Sequence, residues 1–151
     1  MPEKSSIPER KELRKEDLWS VRDLFADTAA WEQEFSAVSA LEPGVLSYRG
    51  RLAESASVLL SYLKDKDVWN RRLSRLYQYA MLRSDEDTRV ASWQALKGRI
   101  LSLAVSFSRD SAYETPEILR IPEETLEQWM QEEPELGIYR RYLRGLRRQR
   151  A

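Results

Sequence analysis

The 151-residue chain contains 25 Lys and Arg residues and 25 Asp and Glu residues, so its formal net charge at neutral pH is zero. This balance provides no overall attraction to nucleic acid or to an anionic membrane surface, and we expect neither as a partner. The chain has no cysteine and no histidine. Their absence excludes disulfides, thiolate chemistry, a Ser-His-Asp triad and nearly every zinc ligand set.

No apolar run is long enough to span a bilayer, and the charged start lacks a signal-peptide core, so we expect a cytoplasmic protein. Residues 1–16 are predicted to form a flexible arm, because prolines and charges dominate them and little can be buried. Residues 17–151 are predicted to fold as one all-α domain of antiparallel helical hairpins. This follows from the short connections and from the lack of strand alternation and of repeats.

The first helices of this domain are marked by polar caps. Before them, an apolar anchor is expected at Leu18, Trp19, Val21, Leu24 and Phe25. Asp27 is the predicted N-cap of the first helix, because a side-chain oxygen there can accept a first-turn N–H. The run Glu42-Pro43-Gly44 is predicted to interrupt that helix, and Ser55 is predicted to cap the next one.

A central helix is predicted to begin near Asp67, after a charged turn at residues 64–67. Its apolar residues recur at three- and four-residue steps: Val68, Trp69, Leu73, Leu76, Tyr77 and Ala80. The pattern stops at Ser84-Asp85-Glu86-Asp87-Thr88, and Thr88 is predicted to cap the following helix. Carboxylates are unfavourable at a helix C-terminus, where the macrodipole is negative, so this acidic run calls for an explanation.

Three prolines mark the remaining helix starts. Pro116 and Pro122 are predicted to begin two short helices, and Pro134 is predicted to open the last one. Proline is tolerated in the first helical turn, because its missing N–H would have no intrahelical partner there.

The last helix is rich in arginine. Arg140, Arg144 and Arg148 lie at four-residue steps on one face, after a segment, residues 112–135, that contains eight glutamates and one arginine. The simpler interpretation is a solvated face that pairs with this acidic segment. The alternative is a nucleic-acid or acidic-partner patch, against which stand the zero net charge and the lack of interleaved stacking aromatic residues on the arginine face.

No catalytic motif is visible in the chain. There is no glycine-rich phosphate loop and no nucleophile elbow. A hydrolase that uses only carboxylates would need two acids across a cleft, and adjacent acids at Asp85, Glu86 and Asp87 do not establish one. The same run lacks the glycine and the closing glutamate of a calcium loop. The five tryptophans are interpreted as core anchors.

Several runs resemble one family. LYQYAMLRSDEDT, at residues 76–88, and YRGRLAES, at residues 48–55, resemble the N-terminal region of oligoendopeptidase F, a member of the M3 family of zinc metallopeptidases. DLWSVRDLFADTAAWEQEF resembles the start of that region, and the run from Glu114 to Arg150 resembles the segment that leads toward the catalytic part. The resemblance covers essentially the whole chain from Leu18 onward.

The resemblance implies a large helical enzyme that cleaves short peptides in an enclosed channel, with zinc held by a His-Glu-x-x-His motif and a further glutamate. It also implies that the N-terminal domain forms part of the channel wall. Because this chain has no histidine and ends at Ala151, we expect no catalytic residue, cofactor or metal ligand in it, and zinc only in the full-length enzyme. The expected partners of this inactive fragment are the catalytic domain of the same polypeptide and short peptides.

Within this interpretation, Arg83, Asp85, Glu86 and Asp87 are candidate contacts with the channel or with the catalytic domain. The isolated domain is expected to expose an apolar patch through which it can dimerise.

Two other interpretations stay open at this stage. The first is a stand-alone helical interaction module in which the arginine-rich last helix holds an acidic partner. The second is a carboxylate-based hydrolase.

Overall fold

The computed structural model describes residue 8 and residues 10–149, and it contains no β-strand in that part of the chain. The all-α prediction is therefore confirmed. The described α-helices are α1 (Thr28–Ser39), α2 (Glu42–Ser47), α3 (Ala56–Glu86), α4 (Ala91–Asp110), α5 (Glu114–Arg120), α6 (Glu123–Glu132) and α7 (Arg140–Arg148). Short 3₁₀ helices span Arg10–Glu12, Lys15–Asp17, Val21–Asp23 and Pro134–Tyr139.

Half of the predicted flexible arm, residues 1–7 and residue 9, lies outside the described residues. Within residues 10–16, the chain forms the 3₁₀ turn Arg10–Glu12 and begins the turn Lys15–Asp17.

The centre of the fold is the antiparallel hairpin of α3 and α4. Helix α3 has 31 residues and is therefore about 46 Å long, at roughly 1.5 Å per residue. Trp69 and Phe107 pack across the hairpin with ring centroids 6.3 Å apart. Leu96 and Ile100 of α4 are buried against α3. The predicted helical hairpin is thus present, and it supplies the surface on which the other helices pack.

Helix α1 packs against the second half of α3. The indole Nε1–H of the fully buried Trp31 donates a hydrogen bond to the carbonyl oxygen of Leu76 at 2.9 Å. Arg72 of α3 forms two hydrogen bonds to Glu34 at 2.6 and 3.0 Å. The predicted cap of α1 is confirmed, because the amide of Ala30 donates to Asp27 Oδ1 at 2.8 Å.

The predicted charged turn at residues 64–67 is wrong, because these residues lie inside the continuous helix α3. No proline or glycine interrupts them, and all four side chains bond to other segments. Their partners, in order from Lys64 to Asp67, are Glu135, Tyr48, Glu114 and Tyr139. We call residues 64–67 and these four partners the polar hub. Charges that look like a surface turn in the sequence are here the points at which other segments of the chain attach to α3.

Two further predictions are wrong for individual residues. Thr88 does not cap α4, which begins at Ala91 after Val90. The turn is organised one residue earlier, where Asp87 Oδ1 accepts the amide N–H of Arg89 at 3.0 Å. Within the apolar anchor, Val21 is buried, whereas Trp19 is 54% exposed and is not a core residue.

The prolines lie close to the predicted helix starts. Pro116 is in the first turn of α5, and Pro122 is the N-cap of α6. Pro134 begins the 3₁₀ helix Pro134–Tyr139, which continues directly into α7. None of the described helices is both long and apolar enough to cross a membrane.

Candidate functional site

The predicted acidic run lies at the end of α3, where Asp85 and Glu86 are the last two helical residues and Asp87 is the C-cap. Arg83 compensates the unfavourable position of Glu86, because its Nη1 donates to Glu86 Oε2 at 2.9 Å. The Glu86 side chain is 8% exposed and that of Arg83 is 23% exposed. The guanidinium also stacks over the ring of Trp93 on α4 at 5.3 Å. Arg83 and Glu86 are therefore largely occupied in joining α3 to its surroundings.

Asp87 is also paired within the chain. Its carboxylate accepts hydrogen bonds from Arg89 Nε at 2.8 Å and from Arg89 Nη2 at 2.9 Å. These bonds, together with the one from the Arg89 amide, lower the pKa of Asp87 to about 2. The aspartate therefore stays ionised over the whole physiological range of pH.

Asp85 differs from its neighbours. It is exposed and makes no hydrogen bond or ion pair with the described residues. It borders a cleft of about 660 Å³ between the acidic run, the start of α4 and the N-terminal segment. The cleft is lined by Pro8, Lys11, Leu18, Asp85, Glu86, Asp87, Thr88, Arg89 and Trp93. The structure thus brings the acidic candidates to one cleft, and Asp85 is the carboxylate there that is available to a ligand.

The arginine-rich face of α7 partly pairs with the acidic segment, as the simpler interpretation predicted. Arg144 and Arg140 approach the same carboxylate, that of Glu127 on α6, at 2.8 and 3.5 Å. The side-chain hydrogen bond from Arg144 lowers the pKa of Glu127. Arg148 is exposed and makes no ion pair with the described residues. The role of these arginines in binding a partner stays a prediction.

Sequence reasoning missed two buried glutamates on α5. Glu114 is 5% exposed and accepts hydrogen bonds from Tyr62 Oη at 2.5 Å and from Lys66 Nζ at 2.6 Å. Burial and the bond to Glu114 raise the pKa of Tyr62. Glu117 is 9% exposed and accepts the amide N–H of Gly50 at 2.5 Å and that of Leu52 at 3.1 Å.

These two glutamates hold elements together rather than forming an open site. Gly50, with φ of 80°, lies in the YRGRLAES run, so Glu117 fixes the turn between α2 and α3. The positive φ calls for glycine, and Gly50 was the one signal in the sequence that pointed to a special turn here.

The residues of the chain do not fit a zinc site. The sequence has no histidine or cysteine. In the described part of the chain, no group of three or more aspartates and glutamates is arranged to hold a metal ion. Several of these carboxylates already have partners: Asp87 is paired with Arg89, and Glu117 accepts two backbone N–H groups.

Comparisons by family profile, by sequence and by structure lead to the same group of proteins. A family profile described as Oligopeptidase F matches residues 117–151. Oligopeptidase PepF of Bacillus subtilis (strain 168) is 38% identical over 97% of this chain and 22% of its own length. The crystal structure of oligoendopeptidase-F from Enterococcus faecium aligns with a TM-score of 0.72 at 28% identity, over 80% of this chain and 24% of that one.

A second crystal structure, from Chlamydophila abortus, aligns with a TM-score of 0.83 at 25% identity, over 95% of this chain and 24% of that one. The chain spans about a fifth of the length of the relatives it matches (22% of the first). Sequence and fold agree over nearly the whole chain, and the matched family profile is that of the N-terminal part of these peptidases. These matches identify the chain as an N-terminal domain of the oligoendopeptidase F family.

Proposed function

We propose that this domain works inside a longer zinc oligoendopeptidase, where it forms part of the wall that encloses short peptides. The observation that carries the proposal is the 38% identity to oligopeptidase PepF over 97% of this chain but only 22% of that protein. Peptide-bond hydrolysis would then belong to the remaining part of such a protein. The stand-alone interaction module is not favoured, since the comparisons lead to peptidases and not to isolated helical modules.

Zinc would supply the Lewis acid and the activated water of such a peptidase. In the described part of the chain no group of residues fits the metal, and the contribution we propose for it is enclosure and contact. We propose that Arg83, Asp85, Glu86 and Asp87 face the peptide channel or the catalytic domain. The support for this assignment is the cleft beside them and the exposed carboxylate of Asp85.

Asp85 is the residue that we expect to touch a ligand directly. Its carboxylate would attract the ammonium group of a peptide N-terminus or a basic side chain, at the modest strength of a solvent-exposed charge pair. Glu86 and Asp87 are paired with Arg83 and Arg89. They would therefore shape the wall of the cleft and would not contact the ligand directly.

The first experiment is the intact mass of the native gene product, purified from its source cells. A mass several times 17.8 kDa, with peptide hydrolysis that a zinc chelator abolishes, is the expected result. A native product near 17.8 kDa without peptidase activity would overturn the proposal.

The contact residues are tested in the same native-length protein. Asp85→Asn is expected to raise KM for short peptides with a free amino terminus by roughly two- to fivefold, in keeping with an exposed charge pair of about 0.4–1 kcal/mol. The matched control is Glu123→Gln, another exposed acid on the distant helix α6. Unchanged cleavage and unchanged stability in both Asp85→Asn and Asp87→Asn would remove these residues from the proposed channel.

A further inference from the structure

We propose that an arginine-lined cleft along α7 binds short peptides that carry two carboxylates about 10 Å apart. The cleft has a volume of about 500 Å³, and four arginines line it: Arg140, Arg141, Arg144 and Arg148. The inference rests on the proposed function only in taking short peptides as the ligands, because their binding can be measured without any hydrolysis. We call this site the arginine cleft.

The arginine cleft carries more positive charge than the chain itself neutralises. Arg144 and Arg140 share one carboxylate, that of Glu127, at 2.8 and 3.5 Å. Arg141 and Arg148 are exposed and make no ion pair within the described part of the chain. No acidic residue is among the described residues that line the cleft. An anionic ligand would therefore meet two unpaired guanidinium groups, each of which can hold a carboxylate through two parallel hydrogen bonds.

The two unpaired arginines set the spacing of the anionic groups. Arg141 and Arg148 are seven residues apart in the sequence. They therefore lie on the same face of α7, separated by about 10 Å along the helix axis. Residues three positions apart in an extended peptide are separated by about the same distance, at roughly 3.3 Å per residue. A single phosphate or sulfate ion is much smaller than this distance and would engage only one of the two arginines.

The space between these two arginines is open and partly apolar. Gly145 lies between them in the cleft lining, and a Cβ atom there would meet nothing within 4 Å. Ile138 also lines the cleft and is 78% exposed. No aromatic side chain is among the described lining residues, so the bases of a nucleic acid would have no stacking partner. The lining instead suits a peptide that has an apolar side chain beside its acidic ones.

The size of the arginine cleft favours a small ligand over a folded domain. Sites for small ligands have volumes of about 300–1,000 Å³, a range that includes this cleft at about 500 Å³. A stable contact between protein surfaces uses about 20–30 residues on each side, whereas seven described residues line this cleft. Coverage of the cleft by the rest of a longer polypeptide is the alternative that the experiment must exclude.

The test is isothermal titration calorimetry of the native gene product, with a zinc chelator present so that a peptidase would leave the added peptide intact. The peptide is acetyl-Glu-Leu-Ala-Glu-amide, whose two carboxylates are three residues apart. Its matched control is acetyl-Gln-Leu-Ala-Gln-amide, which has the same shape and no charge. We expect the acidic peptide to bind about five- to tenfold more tightly than the control, as two exposed charge pairs allow. Added salt should reduce this difference, because it screens exposed charges.

Variants of the native product locate the binding. The double substitution Arg141→Met and Arg148→Met removes both unpaired charges and keeps good helix formers, so we expect about three- to tenfold weaker binding of the acidic peptide. Gly145→Leu keeps every charge but fills the space between them, and we expect a similar loss. The matched control is Arg51→Met, at an arginine before α3 whose side chain is 48% exposed, which should bind like the unmodified protein. Helical content and thermal unfolding verify that each variant folds.

Three results would overturn the proposal. The first is equal affinity for the two peptides, which is expected if the rest of a longer polypeptide covers the arginine cleft. The second is a preference for the acidic peptide that the double substitution leaves unchanged. The third is pyrophosphate binding as tight as that of the acidic peptide, which would assign the cleft to phosphates. None of them affects the peptidase-domain proposal, which the mass and the zinc-dependent hydrolysis of the native product decide.

Discussion

Lys66 of α3 donates a hydrogen bond to Glu114 of α5 at 2.6 Å, although the two residues lie 48 positions apart in the chain. The same carboxylate accepts hydrogen bonds from Tyr62 and Tyr142. One buried charge therefore joins three helices, α3, α5 and α7. Bonds from one cation and two phenols compensate the desolvation of this carboxylate, which would otherwise be too costly to bury.

We expect Glu114→Gln to lower the free energy of unfolding by roughly 2–3 kcal/mol, because it leaves Lys66 without its anion inside a largely desolvated network. Urea denaturation measures the change. The control is Glu135→Gln, the same substitution in the 61%-exposed partner of Lys64, for which we expect less than about 1 kcal/mol. Equal losses in the two variants would contradict the special role of Glu114.

Two glycines with free space around them should respond in opposite directions. A Cβ atom would meet nothing within 4 Å at either Gly50 or Gly98, but only Gly50 has a positive φ, of 80°. Gly50→Ala should therefore destabilise the fold by about 1 kcal/mol. Gly98→Ala should stabilise the single chain by about 0.5–1 kcal/mol. Thermal unfolding at low micromolar concentration separates the two effects, and a shift of the same sign in both would refute this account.

Trp31→Phe tests the contact between α1 and α3. The substitution removes the buried hydrogen bond from the indole to the Leu76 carbonyl and leaves a cavity, so we expect a loss of about 2–3 kcal/mol. The same substitution at Trp19, which is 54% exposed, should change the free energy of unfolding by less than about 0.5 kcal/mol. A large effect at Trp19 would mean that the first residues of the domain are more tightly packed than their exposure indicates.

Lowering the pH should decrease the free energy of unfolding, because it protonates carboxylates that are paired with arginine in the folded state. The hydrogen bonds from Arg72 lower the pKa of Glu34 below its usual value of 4.5. Those from Arg89 lower the pKa of Asp87 from 3.8 to about 2. A group whose pKa is lower in the folded state contributes its full stabilisation above the unfolded pKa. That contribution is lost as the pH falls through the folded pKa.

We therefore expect the free energy of unfolding to decrease progressively as the pH falls below about 5. Arg72→Met should make this decrease shallower, because Glu34 then titrates closer to its unfolded value. Arg148→Met, which removes an exposed arginine that has no ion pair with the described residues, should leave the slope unchanged. Urea denaturation between pH 2.5 and 6 provides the comparison, and identical slopes in both variants would count against the Glu34 contribution.

Features that depend only on residues close together in the sequence were predicted correctly. Asp27 and Ser55 cap their helices as expected, because a cap needs only an N–H two or three residues away. The acidic run was also placed correctly at the end of a helix, since the apolar stripe of α3 stops there.

The failures concern residues whose partners are distant in the sequence. Residues 64–67 looked like a turn because their partners, such as Glu114 and Tyr139, lie 48 and 72 positions away and carry no recognisable pairing pattern. Glu114 itself looked like one more acid in a solvated segment. Its burial depends on helices that meet only in three dimensions, which single-sequence periodicity does not describe.

The polar hub has a consequence for synthesis on the ribosome. Lys66 receives its partners Glu114 and Tyr142 only after 48 and 76 further residues have been added. At roughly 5–20 residues per second, this leaves the middle of α3 incomplete for about 2–15 s. The nascent helix must spend that interval with its charges in water, so the domain can close around α3 only when its last helix has emerged. Slow codons before Tyr142 would lengthen the interval in which the half-made domain is open to proteases and chaperones.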